Sequence, residues 1–339
     1  MQRFAFVVMA ASIIAIQVAT AMTGSEFLLT QLIMAAWYSL VVVGLCLLMG
    51  YAGQISLGHA AFFAIGGYTT AVLSTVNLLP LKNALPLKML AVLGLTKGGT
   101  DPWGCEVLHL SPWISLLAAV TASAIIAYGI GMPVLRLKGH YLAMATLGVG
   151  IIIYRIALGT PLLGAADGLS DVPPFPFFAG LALDGTRAHR LFSYYFSWSI
   201  VLIVMLLLVN LIGSQAGRAL RAIHGNEAAA QAMGVDTARY KLHLFALSAI
   251  IAAIAGVFMT HYSGGIGPAE TSVMKSVRYV AIVAVGGMAN VWGALIAGTI
   301  LNFLSLRGFF GTYDDAVFGA VLIAMMLFAP NGMVMRKKS

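Results

Sequence analysis

Three stretches of this chain combine polar side chains with glycines in patterns suited to recognition or passage. The first runs Gly50-Tyr51-Ala52-Gly53-Gln54-Ile55-Ser56-Leu57-Gly58-His59 and continues to Gly66, Gly67 and Tyr68. Five glycines with Gln54, Ser56 and His59 make a poor continuous helix, since an interior Gly costs about 1 kcal/mol relative to Ala. Backbone freed from a helix at membrane depth must face protein or a water-filled cavity. Two readings stand side by side: a broken helix with Gln54, Ser56 and His59 near a translocation path, or a tight cytoplasmic turn with His59 at a helix end.

The second stretch is Thr160-Pro161-Leu162-Leu163-Gly164-Ala165-Ala166-Asp167-Gly168-Leu169-Ser170, ahead of Pro173-Pro174-Phe175-Pro176. Gly and Asp supply turns and the prolines an extended chain. It is an external loop that meets a periplasmic partner, or an ordered loop with no special role. In the third, Gly217-Arg218-Ala219-Leu220-Arg221-Ala222-Ile223 precedes Asn226-Glu227-Ala228-Ala229-Ala230-Gln231-Ala232-Met233-Gly234. Asn226 can cap a helix, Glu227 suits its positive end, the alanines propagate it and Gly234 can end it. Asp236-Thr237 can then open the next helix. An Ala-rich helix under about 12 residues does not persist alone. It must dock, on a cytoplasmic partner or on the chain's own spans.

None of this is catalytic machinery. His-Glu-x-x-His and Gly-x-Ser-x-Gly are absent, and the seven histidines are not at metal-ligand spacing. Without Gly-x-x-x-x-Gly-Lys-Ser/Thr, the chain carries no nucleotide site of this kind. Cys46 in an apolar run and Cys105 in a polar loop suggest neither a disulfide framework nor a metal cluster. The expectation is a chain that is no enzyme and holds no metal or cofactor.

The elements that must position these residues are membrane helices. Of 339 residues, 60% are hydrophobic and 9% charged, and mean hydropathy is +0.95, against roughly a quarter charged in a soluble domain. The net charge of +8 is dispersed along the chain, with no aromatic-interleaved basic face for nucleic acid. Apolar spans fall near 4–22, 28–49, 59–76, 113–132, 141–158, 194–212, 242–262, 277–288, 293–306 and 316–329. This predicts a single all-α polytopic domain over 1–339 with about ten crossings, the last three short. Segment 85–95, with Pro86, Lys88 and Gly94, reads as interfacial or re-entrant. Small residues four apart, Ala252 with Gly256, Gly293 with Ala297 and Ala294 with Gly298, allow close helix approach in lipid.

Orientation follows from the basic residues. Taking loop 213–241 as cytoplasmic puts ten Lys/Arg inside, among them Arg136, Lys138, Arg218, Arg221, Arg239, Lys241 and the tail Arg336-Lys337-Lys338. Eight lie outside, and Arg155 falls within a span. The bias agrees with the positive-inside rule and puts both termini in the cytoplasm. Residues 4–16 followed by Ala19-Thr20-Ala21 also match a signal peptide, but uncleaved first-helix status suits a chain whose later segments all span.

The runs 53–60, Leu135-Arg136-Leu137-Lys138-Gly139-His140-Tyr141 through Leu147, 165–170, 217–223, Ala232-Met233-Gly234-Val235 and Gly286-Gly287 resemble the LivM branch of branched-chain amino-acid ABC transporter permeases. The resemblance implies a bacterial inner-membrane permease for leucine, isoleucine and valine. It pairs with a second, related permease, two cytoplasmic ATPases that hold the ATP, and a periplasmic substrate-binding protein. The helix opening at Glu227, with Ala229, Ala230 and Gly234, is similar to the segment that couples to the ATPase, and Arg218 and Arg221 flank it. The segment around Gln54 is similar to a broken helix beside the path.

There are departures. Gly234 lies seven residues after Glu227 where the general importer pattern has six, no Ile-x-Leu-Pro follows, and the usual Gly-Gly-Leu-Gly-Ser-like stretch reads Gly286-Gly287-Met288-Ala289-Asn290-Val291-Trp292-Gly293. Loop 97–112 matches no part of the pattern. These leave urea, short amides or another small polar solute as the alternative cargo. The rival class is a stand-alone secondary transporter or channel, which places ionisable groups inside its spans; here the spans are nearly bare of carboxylates.

Overall fold

A computed structural model describes residues 2–77, 96–100, 106–137, 139–177 and 180–328. Twelve helices are found among them: α1 (Gln2–Met22), α2 (Phe27–Ala52), α3 (His59–Thr75), α4 (Pro112–Val134), α5 (His140–Gly159), α6 (Arg190–Gly213), α7 (Gln215–Gly225), α8 (Glu227–Ala232), α9 (Thr237–Ser263), α10 (Val273–Gly286), α11 (Val291–Leu306) and α12 (Asp314–Phe328). All ten expected spans are helical. Six helices, α1, α2, α4, α5, α6 and α9, are long and apolar enough to cross a bilayer. The other four, α3, α10, α11 and α12, have 17, 14, 16 and 15 residues, below the roughly 20 of a full span.

The helices stop and start where local chemistry dictates. Gly53 and Gly264, both left-handed, end α2 and α9, a conformation that only Gly adopts without a Cβ penalty. Side chains of Asp236, Ser272 and Asn290 accept the backbone N–H of Arg239, Lys275 and Gly293, opening α9, α10 and α11.

α2 is apolar on every face and nearly all buried, as a helix without a polar stripe must be. It is the hub, packed on α6, α7, α9, α10 and α11. α9 crosses α3 through glycines: a Cβ on Gly256 would lie 1.9 Å from the Phe63 carbonyl, and one on Gly66 would lie 2.2 Å from that of Ala253. The pair Ala252/Gly256 thus has the packing role expected of it. On α11, Gly298 faces Ser39 of α2, while Gly293 and Ala294 face Gly286 of α10.

The connections sort onto two ends of the bundle, alternating along the chain. At one end, Gly53 abuts His224 and Gly50 abuts Met288. At the other, Leu169 pairs with Ile266, His261 bonds to Pro173, and Arg278 bridges Asp314 and Asp315. In the region unmatched in sequence, β1 (Thr96–Thr100) pairs antiparallel with β2 (Glu106–Leu110). A second short antiparallel pair joins β3 (Phe175–Pro176) and β4 (Ala182–Leu183). Segment 85–95, Cys105, Lys138 and the tail Arg336-Lys337-Lys338 lie outside the described residues.

Candidate functional site

The glycine-rich stretch is a helix break. α2 ends at Gly53, residues 54–58 are irregular, and α3 begins at His59. The break starts at the end of the bundle where Gly53 meets His224 and runs inward to Thr146 of α5 and Ser248 of α9. Leu57 N donates to Thr146 Oγ1 at 3.0 Å, and a Cβ on Gly58 would stand 2.8 Å from the Thr146 carbonyl. Ala60 N donates to Ser276 Oγ of α10 at 3.3 Å. Neighbouring side chains thereby satisfy backbone groups released by the break, as low-dielectric surroundings require.

Gln54, Ser56 and His59 are 3%, 2% and 1% exposed. His59 bridges its own turn to α9, with Nδ1 3.1 Å from Ser56 Oγ and Nε2 3.0 Å from Ser248 Oγ. Ser248 donates its proton to the Phe245 carbonyl, so it accepts from Nε2–H, and Nδ1 accepts from Ser56. One tautomer, protonated at Nε2, satisfies the whole chain of groups. Gln54 differs: its Oε1 is buried with no hydrogen-bond partner. Three cavities on the described residues are lined by other residues, and the break is a turn that buries Gln54, Ser56 and His59 while leaving Gly53 and Ile55 exposed. Sequence offered no signal for Thr146, Ser248 or Ser276 as its anchors, because single hydroxyls in apolar spans are common.

The loop 213–241 forms two helices where one was expected. α7 buries Gly217, Leu220 and Ile223 and leaves Arg218 and Arg221 exposed. Its His224 reaches the break, 2.9 Å from where a Cβ of Gly53 would be. The two groups of candidate residues, far apart in sequence, thus meet. α8 is opened by Asn226, whose Oδ1 accepts Ala229 N at 3.1 Å, and is closed by left-handed Gly234, as the residue types predict.

Glu227 is tied to the chain itself. Lys241 Nζ lies 2.5 Å from its Oε1, and Thr237 Oγ1 donates to the same oxygen at 3.3 Å. Gln231 Nε2 donates to Thr237 at 2.8 Å. This network fastens α8 to the start of α9, the helix that holds His59 through Ser248. The alanines divide: Ala230 is 4% exposed, whereas Ala228 and Ala229 face out and Met233 is 84% exposed. The helix therefore docks with one face on its own chain and offers the other to solvent.

A family model described as the permease component of branched-chain amino acid transport systems matches residues 27–329. The chain is similar to the high-affinity branched-chain amino acid transport permease protein LivM of Salmonella typhimurium, 27% identical over 318 residues, 88% of this chain and 67% of that protein. It is also similar to LivH of Escherichia coli, 24% identical over 88% of this chain and 91% of the relative, and to BraD of Pseudomonas aeruginosa, 22% identical over 91% and 95%. No solved structure matches.

Proposed function

Because this chain belongs to the family of branched-chain amino acid transport permeases, we propose that it forms the membrane path of a bacterial inner-membrane importer for leucine, isoleucine and valine. ATP is bound and hydrolysed on two cytoplasmic partners, a second related permease lies alongside, and a periplasmic protein delivers the solute. Beyond the family match, the observation that carries this reading is α8, anchored by Glu227–Lys241 on one side and presenting Ala228, Ala229 and Met233 to solvent on the other. A short helix held on one face by its own chain, with small and apolar side chains exposed on the other, suits a contact with a partner subunit. Arg218 and Arg221 flank the contact. The end of the bundle bearing α8 is then cytoplasmic, as are both termini.

Deleting the neighbouring ATPase is expected to reduce uptake of radiolabelled leucine to background while the permease stays in the membrane at wild-type level. Uptake that survives the deletion would favour the stand-alone class. Orientation is tested separately with Arg187→Cys in a Cys105→Ser background, since Arg187 is exposed between β4 and α6 and Cys46 is buried. A membrane-impermeant maleimide is expected to label it from the periplasmic side of intact spheroplasts. Labelling only in inverted vesicles would reverse the topology.

A further inference from the structure

The loop 160–172 lies at the end of the bundle opposite α8, bound to segment 264–267 backbone to backbone. Leu169 N donates to the Ile266 carbonyl at 2.9 Å, Ile266 N donates to Leu169 at 2.8 Å, and Val172 N donates to Gly264 at 3.1 Å. Glycines make the approach possible. A Cβ on Gly168, whose φ is +75°, would stand 2.4 Å from the Ile266 carbonyl, and one on Gly265 would stand 2.5 Å from that of Leu169. Two loops held this closely make a rigid wall.

Between that wall, Phe63 of α3 and the last turn of α9 is a cavity of about 410 Å³, within the roughly 300–1,000 Å³ of small-molecule sites. Its lining is divided by chemistry. Phe63, Met259 and Ile266 supply apolar surface, Ser170 a hydroxyl, and Asp167 and Glu270 carboxylates. The carboxylates are not equivalent. Both oxygens of Glu270 are held by Lys275 Nζ, at 2.9 and 3.0 Å, and one also accepts from Tyr38 at 3.1 Å. The Asp167 carboxylate makes no hydrogen bond or ion pair with the described residues. Its acceptor oxygens are exposed beside the apolar lining.

We propose that this cavity is an entry subsite for the amino acid itself, with Asp167 accepting the α-ammonium and Phe63 and Met259 receiving the aliphatic side chain. The inference rests on the branched-chain amino acid reading above and adds a residue-level site to it. A free carboxylate beside aromatic and thioether surface matches a solute with a cation a few bonds from a branched hydrocarbon. Urea and simple amides carry neither.

The test uses the assembled transporter, purified in detergent without the periplasmic protein, and equilibrium dialysis against radiolabelled leucine. Wild type is expected to bind leucine, with competition by valine and none by 4-methylpentanoate, which lacks the ammonium group. Asp167→Asn is expected to weaken binding at least tenfold and to raise the KM of uptake in proteoliposomes, with the amount of permease unchanged because Asp167 is exposed and bonds none of the described residues. Met259→Trp, which fills the apolar side, is expected to impair leucine more than alanine. Leucine binding by Asp167→Asn equal to wild type overturns the subsite, even if uptake falls, since the defect would then lie in docking of the delivery protein. A wild-type transporter that carries urea or an amide and no branched-chain amino acid would instead overturn the parent reading of function.

Discussion

Leucine in place of Gly256 is expected to remove almost all folded permease from the membrane. The α3–α9 crossing is built from backbone touching backbone: the Cβ position of Gly256 is 1.9 Å from the Phe63 carbonyl and 3.2 Å from Gly67 N, with no flexible side-chain end that can swing away. Overpacking a close-packed site costs about 1–3 kcal/mol where side chains can yield, and here the two helices themselves must separate. Such separation consumes a large share of a total stability of about 5–15 kcal/mol. It also parts His59 from Ser248, and Thr70 from His261, whose Nε2 lies 2.9 Å from the Thr70 hydroxyl. Immunoblotting of membranes and thermal unfolding of the purified protein measure the effect. Gly148→Leu on α5, where a Cβ meets nothing within 4 Å, serves as the tolerated control. Wild-type amounts of Gly256→Leu with an unchanged midpoint would mean that the two helices do not cross this closely.

Tryptophan at Ala229 is expected to abolish leucine uptake, by at least tenfold, while leaving the permease inserted and as stable as wild type. Ala229 is on the solvent face of α8, away from the buried Ala230 and from the Glu227–Lys241 pair that holds the helix down. The large ring therefore leaves the chain's own packing intact and changes only what a partner meets. A tenfold loss corresponds to about 1.4 kcal/mol of interface energy, modest for a bulky group forced into a fitted contact. Co-purification of the ATPase, ATP hydrolysis and uptake should be measured on the same preparations, with hydrolysis persisting or the partner lost as transport disappears. Equal recovery of the ATPase with normal uptake would remove α8 from coupling. Ala230→Trp separates the two faces, because it must displace the helix and is expected to lower thermal stability as well.

Together these substitutions probe a continuous line of contacts. α8 is tied to α9 by Glu227 and Lys241, α9 holds the break through Ser248 and His59, and α7 touches the same break through His224 and Gly53. A displacement of α8 would reach Ser56 through Ser248 and His59, which are buried. Packed interiors deform little and transmit strain over such distances.

Much of this was legible in the residues themselves. Ten apolar stretches became ten helices because hydropathy decides which segments leave water, irrespective of what they pack against. The caps Asn226 and Asp236 and the terminator Gly234 were equally legible, since a cap bonds backbone within a few residues of itself. Other matters were settled only by tertiary contact. That Ala230 is buried and Ala229 exposed depends on where α8 meets α7 and α9, and identical side chains one residue apart carry no mark of that. That Glu227 would bond Lys241, that His59 would find Ser248, and that Asp167 would bond none of the described residues depend on distances between positions well separated in the chain. The sequence by itself determined which segments leave water, where caps and glycines end several of the helices and which residues permit close approach, because those properties arise from each residue and its near neighbours. Only the tertiary structure decided which polar groups are paired and which remain open to a ligand or a partner, because pairing is a property of two positions and the space between them.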